Sequence, residues 1–108
     1  MSYDVSLRID TGGRHLVDVV DCGNMTYNVG AMYVKALGGK GLRDLDGVEA
    51  WKVVTKLEAA VKHMEEFPAE YEKLNPSNGW GDYKSALEYL EGIYKRCKEN
   101  PKCVISVH

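Results

Sequence analysis

The chain has 108 residues, of which 44% are hydrophobic and 28% charged, and its formal net charge is −2. This length predicts one domain over residues 1–108, and so small a charge argues against a nucleic-acid polymer as partner, because tracking phosphates needs clustered Lys and Arg. The sequence has no run of about 18 apolar residues, no continuous apolar leader and an odd number of cysteines, 3, which together predict no membrane partner and a cytoplasmic location.

The N-terminal part of the chain predicts a β-hairpin. Apolar and polar residues alternate from Tyr3 to Ile9, which is the period of a strand with one buried and one solvated face. A glycine-containing turn at residues 11–14 leads into a second, antiparallel strand over residues 15–20. The sequence DCGN at residues 21–24 then breaks the strand pattern.

Two helices are predicted in the middle of the chain. The first covers residues 26–37 and is ended by a pair of glycines, and residues 40–45 form a loop. Asp46 is the predicted N-cap of the second helix, which runs to about residue 67, with Glu49 completing a capping box. The apolar stripe of this second helix is predicted to contain Trp51, Val54, Leu57, Val61 and Met64.

The C-terminal part predicts two further helical segments and a strand. Pro68 opens a short helical turn that reaches residue 74, and a last helix starts near Gly81 or Asp82 and stops at Asn100. Residues 102–107 are β-branched and predict a third strand that joins the hairpin. The order β-β-α-α-α-β predicts an α+β fold, a small three-stranded antiparallel sheet with helices packed on one face.

Two polar segments that contain aromatic residues stand out as candidate sites. Residues 24–28 (NMTYN) hold more amide and hydroxyl side chains than one helix cap needs, so they favour either capping or ligand contact. Residues 75–83 (NPSNGWGDY) form turns, yet they carry aromatics that either anchor the loop to the core or offer a stacking shelf. The predicted ligand-binding residues are Asn24, Thr26, Tyr27, Asn28, Asn78, Trp80 and Tyr83.

No catalytic, metal-binding or cofactor-binding pattern is recognisable. The GGKG sequence at residues 38–41 lacks the spacing and the Ser or Thr of a phosphate loop, and a calcium loop aligned on Gly47 lacks carboxylates at both ends. The three histidines, His15, His63 and His108, have no paired ligand spacing. Cys22, a loop cysteine with His15 upstream, is a weak candidate nucleophile and is more typical of a small apolar filler.

The two polar segments, within residues 21–30 and 75–83, resemble a family of short phage and prophage proteins without an assigned activity. Gly41-Leu42 and Leu45-Asp46-Gly47 add to this resemblance, which spans nearly the whole chain. The resemblance implies a phage-related origin and a compact accessory role. It implies no catalytic residue and no particular substrate.

Three functions follow as expectations. The first is a non-enzymatic, anti-defence type of accessory protein that binds and sequesters a small polar ligand, which can be nucleotide-like. The second is a protein inhibitor or adaptor that docks on a host protein through exposed aromatics, and the third is a small enzyme. In each case the uncovered edges of a small sheet predict a homo-oligomer.

Overall fold

A three-stranded antiparallel sheet forms one layer of the fold. The computed structural model describes residues 2–10, 12–13 and 16–108. The strands are β1 (Ser2–Ile9), β2 (Val17–Thr26) and β3 (Val104–Val107), in the order β2-β1-β3. The predicted third strand therefore joins the hairpin, and the predicted α+β class is confirmed. The turn residues Thr11 and Arg14, and His15 at the predicted start of the second strand, lie outside the described residues.

The second strand is longer than the sequence predicted. It continues through the DCGN segment to Thr26, because the extra residues form a bulge: Asp4 pairs with Asn24, but Ser6 pairs with Asp21. Gly23 has a φ of 79°, which favours glycine, and its N–H donates to Asp21 Oδ1 over 2.7 Å. The prediction that this segment ends the strand was wrong, and Asn24 lies on the sheet.

In the described residues, four helices form the second layer. They are α1 (Gly30–Leu37), α2 (Ala50–Glu66), α3 (Pro68–Glu72) and α4 (Tyr83–Glu99). Short 3₁₀ turns at Tyr27–Val29 and Gly41–Leu45 precede α1 and α2, in place of a first helical turn and a loop. Asp82 is the N-cap of α4, and its carboxylate accepts the Ser85 N–H over 2.8 Å, which confirms the predicted start of that helix.

The start of α2 differs from the prediction. The helix begins at Ala50 after an N-cap at Glu49 that makes no side-chain cap bond, so the predicted capping box was wrong. Asp46 Oδ1 instead accepts the Val107 N–H of β3 over 2.9 Å. The Trp51 indole N–H donates to Glu49 Oε2 over 2.9 Å, and Trp51 is 57% exposed rather than part of the buried stripe.

This segment before α2 covers one edge of the sheet. The Gly47 N–H donates to the carbonyl of Ile105, and the Ile105 N–H donates to the carbonyl of Val48, over 2.8 and 2.9 Å. The outer edge of β3 is thereby hydrogen-bonded, while β2 forms the other edge of the sheet. Among the described residues, no helix combines the length and the apolar character that crossing a bilayer requires.

The core lies between the helices and one face of the sheet. Burial alternates along β1, where Tyr3, Val5 and Leu7 are buried and Asp4 is exposed, so the helices cover a single face as predicted. The Tyr33 hydroxyl donates to the Ala86 carbonyl over 2.9 Å and ties α1 to α4 inside this core. The largest fully buried side chains are Tyr33, Tyr71, Leu7, Met32, Leu42, Leu45, Leu57, Met64, Leu90, Ile93, Ile105 and Val5.

Candidate functional site

The two polar segments singled out in the sequence meet at one cleft. The cleft lies between the C-terminal end of β2 and the loop that precedes α4, and it has a volume of about 600 Å³. Its lining residues are Ser2, Asn24, Thr26, Asn28, Asn78 and Trp80. Five of the seven predicted residues therefore line a common cleft, although they come from distant parts of the chain. We call it the Trp80 cleft.

The floor of the Trp80 cleft is the end of the β1–β2 ladder. Ser2 pairs with Thr26, and Asp4 pairs with Asn24. Because side chains two residues apart share a face of a strand, Asn24 and Thr26 point to the same side of the sheet. Thr26 Oγ1 accepts the Asn28 N–H over 3.3 Å, which caps the 3₁₀ turn and holds Asn28 at the rim.

The wall of the cleft is the loop at residues 75–82, whose shape is set by its own side chains. Asn75 Oδ1 accepts the Tyr83 N–H over 2.8 Å and closes the loop at the start of α4. Asn78 Oδ1 accepts the Trp80 N–H over 3.0 Å, which is an Asx turn. The side-chain oxygen of Asn78 is thus engaged within the loop. The NH₂ group of the same side chain is available to donate.

Gly81 determines how closely the wall approaches the floor. Its φ of 88° lies in the region that favours glycine, and a Cβ at this position would lie 2.7 Å from Thr26 Cγ2 and 2.9 Å from Val29 Cγ1. Such distances are well inside van der Waals contact. The lack of a side chain at Gly81 is therefore what lets the two polar segments meet.

Trp80 points outward. Its side chain is 69% exposed, the highest value among the large hydrophobic residues that are exposed in the described part of the chain. Trp80 is therefore not an anchor packed into the core, and its indole lies at the edge of the cleft. The sequence could not decide between an anchor and a shelf, because a turn with an aromatic residue fits both.

Tyr83 is the anchor of the loop instead. Its hydroxyl donates to the Met64 carbonyl over 2.7 Å, and its ring stacks with that of Tyr71 at a centroid distance of 6.3 Å. Burial, followed by the nearby carboxylates of Glu72 and Glu65, raises the pKa of Tyr83, so the hydroxyl stays protonated and donates. Tyr83 does not line the cleft but fixes the loop that does.

Tyr27 also supports the cleft from outside its lining. Its ring packs edge-on against Tyr3 at 4.5 Å between centroids, and the Arg43 guanidinium lies over it at 5.1 Å. Ser2, which the sequence reasoning did not select, is the additional lining residue. The signal that could have found it is its position next to Tyr3, which puts it on the outer face of β1.

The lining of the Trp80 cleft carries no charged side chain. All six residues are uncharged: two hydroxyl side chains, three carboxamides and one indole. Carboxamides and hydroxyls both donate and accept hydrogen bonds, and an exposed indole offers a flat apolar face. The cleft can therefore orient a small polar molecule and stack on a ring.

The cysteines give no activated nucleophile. Cys22 lies in β2 and not in a loop, and it is buried, as are Cys97 and Cys103. Burial raises the pKa of Cys22 to about 11 and that of Cys97 to about 12, so both thiols are protonated at neutral pH. His15, the partner that the sequence suggested for Cys22, lies outside the described residues.

The outer face of the sheet carries a second polar cluster. The Arg8 Nε donates to Asp18 Oδ1 over 2.6 Å, and this bond to Arg8 holds the pKa of Asp18 below its ordinary value. His108 Nε2 lies 3.0 Å from an Arg8 nitrogen and 2.8 Å from Ser106 Oγ. In the described part of the chain, no three His, Cys, Asp or Glu side chains are grouped so that they could hold a metal ion.

The chain matches no protein-family model, no curated protein and no solved structure. The features of this chain that bear on function are the neutral lining of the Trp80 cleft and the exposed indole of Trp80.

Proposed function

We propose that the chain is a non-enzymatic binding protein that captures a small polar ligand with a planar ring, of the nucleotide type, in the Trp80 cleft. The single observation behind this proposal is the exposed indole of Trp80 beside five neutral hydrogen-bonding side chains. Ligand sites in proteins typically combine apolar or aromatic surface with a few convergent polar groups.

The exposure of Trp80 supports stacking. Three side-chain acceptors, those of Asn75, Asn78 and Asp82, hold the loop around it, so the indole is presented on an ordered segment. Stacking of a nucleobase on an aromatic side chain contributes about 1–3 kcal/mol by alanine substitution. Since every base has a flat face, the Trp80 indole favours ligands with a planar ring but does not discriminate among bases.

The neutral polar residues support recognition of a heteroatom edge. The NH₂ group of Asn78 is a donor, and the carboxamides of Asn24 and Asn28, both exposed, supply donors and acceptors. A carboxamide can form paired hydrogen bonds with the edge of a base such as adenine. The arrangement suits binding better than catalysis, because general acid–base chemistry needs a titratable side chain at the reacting atom.

The biological role we propose is sequestration. A short phage-type accessory protein in the host cytoplasm that binds a nucleotide-type signal without hydrolysing it would lower the free concentration of that signal and so act against host defence. The resemblance to short phage and prophage proteins and the small size of the chain, 108 residues, support this role.

Isothermal titration against a panel of cyclic and ADP-ribose-type nucleotides tests the proposal. We expect at least one member to bind, and Trp80→Ala to weaken it roughly 5- to 150-fold, the equivalent of about 1–3 kcal/mol. Trp51→Ala is the matched control, since Trp51 is also exposed but lies on α2. A flat response to the whole panel would remove this function.

A second candidate is docking on a host protein. Trp80 and Trp51 are 69% and 57% exposed, and Trp is enriched at the energetic centres of protein interfaces. A specific partner recovered from host lysate that is lost with Trp80→Ala, together with no nucleotide binding, would favour this function over ligand capture.

We also propose that the chain forms a homo-oligomer through the β2 edge. Val17 and Val19 on this strand are exposed, and no main-chain pairing on its outer side is seen in the described residues. Two register shifts interrupt the strand, so the association would depend on these side chains more than on a long ladder. Light scattering at high concentration checks it, and a monomeric mass throughout would contradict it.

A further inference from the structure

The charges around the Trp80 cleft limit which part of a ligand it can hold. The lining is uncharged, and the nearest strand neighbour of the lining residue Asn24 is Asp4 on β1. Directly opposed residues of an antiparallel pair have Cβ atoms about 5 Å apart. From this arrangement, and resting on the proposed function, we infer that the cleft recognises the uncharged nucleoside part of its ligand and disfavours the phosphate groups.

The sheet face next to the cleft carries three aspartates. Asp4, Asp18 and Asp21 all line the adjoining groove of about 410 Å³. The charge of Asp18 is balanced by Arg8 at 2.6 Å, whereas Asp21 is bonded to the neutral N–H of Gly23. Asp4 is paired with Asn24 of the cleft floor. Its anionic side chain therefore lies within about one Debye length of that floor, roughly 8 Å at physiological salt.

Two backbone N–H groups at the cleft are also committed. Anion sites in proteins are commonly formed by free N–H groups in turns and at the start of helices. Here the Asn28 N–H donates to Thr26 Oγ1, and the Trp80 N–H donates to Asn78 Oδ1. The turn on each side of the cleft thus uses a main-chain donor internally that a phosphate would otherwise attract.

Arg43 is a cation near the cleft, and a phosphate in contact with it would be attracted. Arg43 lies over the ring of Tyr27, at 5.1 Å from the centroid, and Tyr27 is adjacent to two lining residues. Tyr27 itself is outside the lining, and Arg43 is placed against that ring. We therefore expect Arg43 to make no contact with the ligand.

The test compares a nucleoside with its own 5′-monophosphate by isothermal titration, with adenosine and guanosine as the two pairs. Repulsion between a phosphate and a carboxylate at about 6–8 Å across solvent weakens binding by roughly threefold. We expect each nucleoside to bind about threefold or more tightly than its monophosphate, and the difference to shrink in high salt because the repulsion is screened.

Charge variants identify the source of the effect. Asp4→Asn should raise the affinity for the monophosphate and leave that for the nucleoside unchanged. Glu99→Gln removes the same charge from the far end of α4, a 17-residue helix about 24 Å long, and should change neither. Arg43→Gln should also change neither affinity.

Several results would overturn the inference while leaving ligand capture in place. One is a monophosphate that binds more tightly than its nucleoside, and a second is the loss of this tighter binding in the Arg43→Gln variant. A third is D-ribose that binds as tightly as the nucleosides. Binding of neither nucleosides nor monophosphates would overturn the inference, and only a flat response to the cyclic and ADP-ribose-type panel as well would overturn the proposed function.

Discussion

Gly81 packs directly on Thr26, so that a Cβ at Gly81 would lie 2.7 Å from Thr26 Cγ2. Replacement by Ala adds this clash to the strain of a side chain at a φ of 88°. We expect Gly81→Ala to lower the free energy of unfolding by about 2–3 kcal/mol and to weaken binding of the ligand found in the nucleotide panel. Urea unfolding and titration measure the two effects.

Gly79 provides the matched control for that change. Gly79 and Gly81 flank Trp80, and Gly79 also has a positive φ, 76°, but a Cβ there would meet nothing within 4 Å. Gly79→Ala should therefore cost only the backbone strain, about 1–2 kcal/mol. Equal effects of the two substitutions on stability and on binding would show that the contact with Thr26 does not set the cleft.

The Asn75 side chain is expected to hold the wall of the cleft in place. Its Oδ1 accepts the Tyr83 N–H over 2.8 Å, so Asn75→Ala should reduce stability by about 1 kcal/mol and speed hydrogen exchange of the Tyr83 amide. Asn75→Asp keeps an acceptor at the same place and should keep the protection. Unchanged exchange in Asn75→Ala would mean that the loop is ordered by other contacts.

The periodic elements of the fold could be predicted from the sequence, and the contacts between them could not. The period of two in β1 and the helical spacing of Leu90 and Ile93 in α4 are strong signals, because one face of each element is buried. Trp51 fits the stripe of α2 by spacing alone, yet it is exposed, and its indole N–H bonds Glu49 at the first turn.

In the candidate site, too, local patterns could be predicted from the sequence and long-range contacts could not. Local chemistry identified both polar segments, but Asp, Gly and Asn favour bulges as well as strand ends, so the sequence predicts a break at residues 21–24 whereas Asn24 lies in β2. The meeting of Trp80 with Thr26 depends on packing at Gly81 between segments that are distant in the chain. Such a long-range contact leaves no pattern in local sequence.

The hydrogen bond from Tyr33 to the Ala86 carbonyl should contribute to the stability of the core. Burial raises the pKa of Tyr33 well above its ordinary value, so the hydroxyl remains a donor over the whole range in which the fold is stable. Tyr33→Phe leaves a space for the hydroxyl and removes the bond, at a cost of about 1–2 kcal/mol in urea unfolding. Tyr94→Phe, which removes a part-buried hydroxyl bonded to Glu58, should have a smaller effect.

Asp82 should give part of the acid sensitivity of the chain. The backbone N–H of Ser85 bonds its carboxylate and holds the pKa of Asp82 below the ordinary value. As the pH falls, the unfolded chain therefore binds this proton first, so the stabilisation is complete above the ordinary Asp pKa of about 3.9 and is lost as the pH falls through the folded value. Urea midpoints measured from about pH 6 down to pH 2 follow this loss.

An uncharged side chain at position 82 that still caps the helix separates the charge of Asp82 from its capping role. Asp82→Asn and Asp82→Ser keep an acceptor for the Ser85 N–H and should flatten the pH dependence in that window, whereas Asp82→Ala should lower the midpoint at every pH. An unchanged acid profile in Asp82→Asn would assign the sensitivity to other carboxylates, of which Glu58, held at a lowered pKa by Tyr94, is the next to replace.

The buried cysteines should be unreactive in the folded protein, which bears on the enzyme alternative. With a pKa of about 11, the thiol of Cys22 is ionised to roughly one part in a thousand at about pH 8, and Cys97 and Cys103 are also buried. A chromogenic disulfide reagent should therefore label none of the three in native protein within minutes and all three in urea, which serves as the control. Rapid labelling of one thiol in the native state would contradict this assignment and would restore Cys22 as a candidate nucleophile, with Cys22→Ser as the variant that identifies it.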